Sequence, residues 1–408
     1  MINLVTGKPF PIFIFFLLLS IFTRYIKLFI GDLIYLIVLL PMLFYVFLSF
    51  FTKKKLILQY FDVVLIFCFS LLLVNLFLSG VRGVLHSQAI FIVYIFIPFL
   101  FYFSIRKVDL KANEYFKFLV FFSLIYALVT IAEFFAYMLD PSLQGVITTY
   151  MRDVVQNNNF HPPHVEYPII GEQTKPWGPM FDASGNGAFL AVLTCFVYER
   201  YKSIRSKWLW VATLVLFVSV FISGSKSAYL MVLLYFVVKN IGGFLIRPSL
   251  NRSLIFVFTL VVGASIFALF LSFFFTPDVL DFYLEAFLFL PISNFYDGLI
   301  YHGLFLFFGL GQETSVNIIV GTGEVDLINS MFRYGIIFTI LIVSVLMYLS
   351  ILSFKKYPEF FALFFMSVLA MNHYQVSFKY PASIIIFMGI AVYLNERALK
   401  KAERVNFN

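Results

Sequence analysis

Three short stretches of this chain hold residue types suited to a charged, sugar-bearing substrate. The first runs Lys175-Pro176-Trp177-Gly178-Pro179-Met180-Phe181-Asp182-Ala183-Ser184-Gly185-Asn186-Gly187. Its prolines and glycines impose a turned backbone just ahead of an apolar run, where Asp182 or Ser184 can cap a helix. The free N–H groups of a helix start favour an anion, and Lys175 adds a full positive charge. The stretch reads either as a phosphate or pyrophosphate site, or as an ordinary capped loop–helix junction with an interfacial tryptophan.

The second stretch is Ser223-Gly224-Ser225-Lys226-Ser227, between two apolar runs. A lysine at membrane depth is costly unless it is paired or faces water. The small neighbours permit close backbone approach and supply hydroxyls. Here the readings are a second cation for a phosphate group, with Ser225 beside it, or a tight turn whose lysine reaches the interface. The third is Gly309-Leu310-Gly311-Gln312-Glu313, then Gly321-Thr322-Gly323-Glu324-Val325-Asp326-Leu327-Ile328-Asn329-Ser330 and Met331-Phe332-Arg333-Tyr334-Gly335. Glu324 and Asp326 enter a helix start, where the dipole favours carboxylates. Either they serve only that preference, or one is a general base. Arg333, about two turns deeper, belongs in a polar cavity.

Weaker signals are His161-Pro162-Pro163-His164, which lacks metal-ligand spacing, His302 after Tyr301, and Asn372, His373 and Lys379 around a late turn. Each suits packing at least as well as binding. No G-x-x-x-x-G-K-[ST] or G-x-G-x-x-G motif is present, so nothing implies nucleotide binding.

The elements that must position these residues follow from composition. Of 408 residues, 62% are hydrophobic and 12% charged. A soluble domain carries roughly 25% charged residues, which excludes an ordinary soluble enzyme. The 57 phenylalanines read as adaptation to lipid. Cys68 and Cys195 both sit in apolar runs and read as core or lipid-facing residues. The net charge of +8 is scattered over segment ends, which argues against nucleic acid as a partner.

The bilayer core of about 30 Å needs roughly 20 apolar residues per helix. Candidate spans are 10–30, 32–52, 58–80, 86–105, 114–139, 184–201, 208–223, 226–246, 253–275, 327–351, 357–376 and 380–396. The expected fold is therefore all-α: a single polytopic transmembrane bundle over 1–408, with about twelve spans. Residues 9–30 lack a cleavage site and read as a retained first helix. With both termini inside, Lys and Arg divide 21 inside to 8 outside, as the positive-inside rule requires. Two long loops, 140–183 and 276–326, then fall outside and hold twelve of the 21 acidic residues.

These blocks, in this order, resemble the superfamily of O-antigen polymerases and O-antigen ligases. Its members carry an (R/K)-P-x-G-type segment before a middle helix, and Lys175 to Gly187 looks like it. They carry a Ser-Gly-Ser-Arg-type turn, like Ser223 to Ser227. They also carry a large outer loop ending before a helix of the form y-G-i-i, like Glu324 to Ile337. Lysines replace the expected arginines at 175 and 226, which keeps the charge and loses the bidentate fork. An acid, Glu324, stands near the place where the ligase branch has histidine, which points to the polymerase branch.

The resemblance implies an enzyme of the bacterial inner membrane, with its active face extracytoplasmic. It would join oligosaccharide repeat units linked to undecaprenyl pyrophosphate, as for O-antigen, capsule or exopolysaccharide. A ligase or a transporter or lipid flippase are the alternatives. Glu324 or Asp326 would be the base, and Lys175, Lys226 and Arg333 would meet around the pyrophosphate in one outward cavity. Gly178, Asp182, Ser225, His302 and His373 would line the substrate. No metal or other cofactor is required. The lipid bilayer and a chain-length regulator protein would be the partners. The topology has a direct check: reporters fused after Lys356 and within 276–326 should report opposite sides of the membrane, and the same side for both would overturn the map.

Overall fold

The computed structural model describes residues 18–22, 25, 26, 40, 44, 47, 58–81, 97–108, 110–140, 142, 143, 176, 178, 179, 183–246, 293, 296, 297, 300, 303, 305–309, 326–371 and 381–406. The described residues form helices and turns and contain no strand. In chain order the helices are α1 (Tyr60–Val81), α2 (Ile97–Val108), α3 (Ala112–Leu139), α4 (Ala183–Ile204), α5 (Lys207–Ile222), α6 (Lys226–Ile246), α7 (Phe305–Phe308), α8 (Asp326–Tyr334), α9 (Ile336–Ser353), α10 (Pro358–Met371) and α11 (Ala382–Asn406).

Three of these are long and apolar enough to cross a membrane, namely 112–139, 336–353 and 382–399. Shorter apolar helical stretches are Tyr60–Asn75, Lys207–Ile222 and Pro358–Met371. The described part of the chain is thus all-helical, with membrane-spanning character. The expected spans 58–80, 114–139, 184–201, 208–223 and 226–246 coincide closely with α1, α3, α4, α5 and α6. Span 253–275, span 32–52 apart from residues 40, 44 and 47, and most of both long loops lie outside the described residues.

One expected span is two helices. The apolar run 327–351 breaks at Gly335, which separates α8 from α9 with φ +98°. Residues 307–309 cross the break. A Cβ at Gly335 would lie 2.6 Å from the carbonyl oxygen of Phe307 and 2.9 Å from the Gly309 nitrogen. The two halves differ in character: α9 is apolar, whereas α8 carries Asp326, Asn329, Ser330 and Arg333 among its nine residues.

Helix α10 packs on α4 and α9, α4 also packs on α5 and α6, and α11 packs on α2. One end of the bundle is marked by ion pairs. Arg106 grips Asp62 through Nε and Nη2 at 3.0 and 2.9 Å. Tyr102 also donates to Asp62, and Arg106 donates to Asn395 of α11. Nearby, Arg200 pairs with Glu359 at 3.3 Å and Lys239 with Glu199 at 3.2 Å. Arg106, Lys107, Lys111, Lys117, Arg200, Lys202, Arg205, Lys207, Lys239, Lys355, Lys356, Arg397, Lys400, Lys401 and Arg404 all fall in the helix portions of this end or its turns. Among the described residues, only Lys226 and Arg333 occupy the opposite end.

The interior is aromatic. Phe116, Phe360, Phe364 and Tyr393 interlock with ring centroids 4.8 to 5.8 Å apart, a spacing that stabilises beyond area burial. Phe99, Phe101, Phe122, Phe189 and Phe196 are also buried, whereas Phe67, Phe77, Phe121, Phe135 and Phe221 are exposed. Phenylalanine therefore builds the core as well as the outer face, and lipid adaptation accounts for only part of its abundance. Cys68 and Cys195 are free and buried.

Breaking a buried pair from one side leaves an uncompensated charge. Arg106→Ala is expected to lower stability by about 3–5 kcal/mol. Asp62→Leu with Arg106→Met should cost less than the single variant. Unfolding in detergent micelles measures both, and equal stability of Arg106→Ala and the parent would refute the expectation.

Candidate functional site

At the end opposite the ion pairs, polar side chains from four segments come together. The anchor is Glu133, in the last two turns of α3 and only 8% exposed. A carboxylate there is costly without donors, and three described residues donate to it. Tyr25 donates its hydroxyl to Oε2 at 2.6 Å, and the Gly178 N–H donates to the same oxygen at 2.8 Å. Tyr137, one turn on, donates to Oε1. The Pro176–Pro179 turn is thereby fastened to α3.

Gly178 has φ +61°, a left-handed conformation that suits glycine. A Cβ at this position would overlap the Asn186 side chain. Asn186, in the first turn of α4, is buried and donates through Nδ2 to Thr130 Oγ1 at 3.3 Å. Thr130 lies one turn before Glu133 on α3. The first block is thus held to α3 at two levels, by Glu133 and by Thr130.

The next residue, Gly187, faces the second block. A Cβ there would overlap Cβ of Ser225 and lie 2.8 Å from Ser223 Oγ. Only a hydrogen on residue 187 lets the α5–α6 turn sit on α4 this closely. Within the turn Gly224 has φ +61°. Ser225 is buried, shares a 2.9 Å hydrogen bond with Ser227, and accepts the Ala228 N–H at 3.4 Å. It therefore caps α6, as the turn reading of this block expects. Lys226 is the first residue of α6 and is exposed.

The third block forms a second assembly at the same end. Asn75 of α1 donates to the carbonyls of Phe308 and Arg333, at 2.5 and 3.1 Å. In an unbroken helix the Arg333 carbonyl would accept from Ile337; at the break, Asn75 serves it instead. A Cβ at Gly309 would lie 2.6 Å from the Gly335 nitrogen and 2.7 Å from the Arg333 carbonyl oxygen. Arg333 is half-buried in the last turn of α8. Asp326 is the first residue of α8.

Of the expected site residues, the structure joins Gly178 to Ser225 through Asn186 and Gly187. It places Lys226 and Arg333 at the same end of the bundle. Lys175, Asp182, His302, Glu324 and His373 lie outside the described residues. Sequence reading missed Glu133, Tyr25, Tyr137, Thr130 and Asn75. The available signal was an acid inside an apolar helix with tyrosine four residues on, the spacing that puts both on one face. Among the described residues no three of His, Cys, Asp and Glu form a group able to hold a metal. No protein-family model, curated protein or solved structure matches the chain, so its own geometry has to carry the functional argument.

The Gly187 contact gives a test of the joint between the blocks. Overpacking a tight contact typically costs about 1–3 kcal/mol. Gly187→Ala is expected to lower thermal stability by that amount, and Gly187→Val by more. Unchanged melting of both variants in micelles would show that the α5–α6 turn does not rest on α4.

Proposed function

We propose that this chain is a polymerase of oligosaccharide repeat units carried on undecaprenyl pyrophosphate. The observation that carries the reading is the meeting of two blocks read from sequence, Lys175–Gly187 and Ser223–Ser227, at the end of the bundle poor in basic residues. Helix ends rich in Lys and Arg face the cytoplasm. In the proposed orientation the ion-paired end is therefore cytoplasmic, both termini with it. The meeting of the blocks then faces outward, where lipid-linked glycans are joined.

The chemistry needs two things from such a site. An acceptor sugar hydroxyl attacks the anomeric carbon of the donor glycan and loses its proton to a carboxylate, Glu324 or Asp326. The bond from that carbon to the pyrophosphate oxygen breaks, and the lipid pyrophosphate leaves. Lys175, Lys226 and Arg333 stabilise the charge that develops on it. At the start of α6, Lys226 and the helix N–H groups favour the same anion. Gly178 and Ser225 shape the backbone around it, and Asp182, His302 and His373 contact the sugars. Pyrophosphate is a good leaving group, so the reaction proceeds without a metal. The exposed apolar faces of the helices suit contact with lipid and with the polyprenyl tail.

One observation favours a transporter instead: the helix broken at Gly335, since transporters form their sites at interrupted helices. Deletion of the gene separates the readings. Loss of a polymerase leaves a single repeat unit on the surface lipid, loss of a ligase leaves none, and loss of a transporter alters uptake or flipping. In that strain, Glu324→Gln and Asp326→Asn are made separately with membrane levels checked. Loss of general-base assistance typically costs 10²–10⁴ in rate, so one variant is expected to shorten or abolish the chains. Parental chain length from both would remove this acidic pair as the base.

A further inference from the structure

Glu133 belongs to none of the three sequence blocks, yet it is the residue on which the first block rests. Its two oxygens receive Tyr25, Tyr137 and the Gly178 N–H. A carboxylate with three donors and 8% exposure is committed to its neighbours and poorly placed to accept a proton from a sugar. The backbone amide is the informative donor. It belongs to a left-handed residue whose other side is closed by Asn186, so the turn has one seating on α3.

We propose that Glu133 is a positioning residue: it fixes the turn at Gly178 and Pro179 on α3 and so holds the first block against Asn186, next to Gly187 and the α5–α6 turn. For its consequence on glycan synthesis, this inference rests on the polymerase reading. Geometry rather than charge is what the joint requires. Glutamine keeps the length and one acceptor oxygen, which can serve both Tyr25 and Gly178. Its amide donates to the Tyr137 oxygen, because a phenol hydroxyl both donates and accepts. Alanine removes all three acceptor contacts.

The test uses the full chain in native membranes. Pro179→Cys supplies a probe at a position that is buried in the parent, while Cys68 and Cys195 are buried and contribute little background. Alkylation by a membrane-impermeant maleimide reports release of the turn. Glu133→Ala is expected to raise labelling of Pro179→Cys roughly tenfold, the scale of losing a hydrogen bond to a charged group. Glu133→Gln is expected to label like the parent. Gly178→Ala breaks the joint from the other side and should match Glu133→Ala; it carries the test if Glu133→Ala fails to insert.

Parental labelling in the alanine variants would overturn the proposal. So would strong labelling in Glu133→Gln, which would make charge the requirement. Glycan chain length, read in the same strains, should fall in Glu133→Ala and return in Glu133→Gln. Lost chains in Glu133→Gln with parental labelling would also overturn it, by giving the carboxylate a chemical role. Labelling does not depend on glycan synthesis. A gene deletion that leaves the surface glycan unchanged would therefore sink the polymerase reading and leave the labelling result standing.

Discussion

Lipid offers no hydrogen bonds, so a polar group inside this bundle is costly unless it finds a partner within the chain. That constraint places most of the contacts described above. Hydroxyls turn back to the carbonyl four residues earlier, as in Ser123, Thr130, Thr194, Thr213 and Ser367. Charges cross between helices, as in Asp62 with Arg106 and Glu199 with Lys239. Where a helix breaks, a side chain from elsewhere takes the released carbonyl, as Asn75 does for Arg333.

The two ends of the bundle meet that constraint differently. At one end opposite charges neutralise one another, and aromatic rings add to the seal: Lys239 lies over Phe354 and Phe361, and Arg200 over Phe116. At the other end the buried polar groups include the Glu133 carboxylate, the Asn75 and Asn186 amides and hydroxyls, joined to tight turns by glycines with no room for a side chain. The first arrangement locks helices together. The second holds backbone turns in fixed places and leaves Lys226 exposed.

Much of this fold is legible in the sequence. An apolar run with charged flanks and no internal breaker favours a helix, and 226–246 is a helix over those same residues, Lys226–Ile246. The meeting of Gly187 with Ser225 is half legible. Small residues announce close approach, but not what approaches. The break at Gly335 is also half legible: α8 is amphipathic where α9 is apolar, but the segment that crosses there, Phe307 and Phe308, comes from elsewhere in the chain. Glu133 was passed over for a related reason. Its helix is apolar enough to absorb one acid, and its importance comes from Tyr25 and Gly178, 108 and 45 residues distant.

Asn75 has a consequence for how the protein is made. The carbonyls it serves lie 233 and 258 residues further along the chain. At roughly 5–20 residues per second of synthesis, about 10 to 50 s pass before those carbonyls exist. Helix α1 therefore leaves the insertion machinery carrying an amide whose final acceptors have yet to be translated. It cannot take its final seat until α8 follows. The two ends of α1 are thus completed at different times: Asp62 near its start can pair with Arg106 as soon as α2 follows, and Asn75 must wait for the last third of the chain.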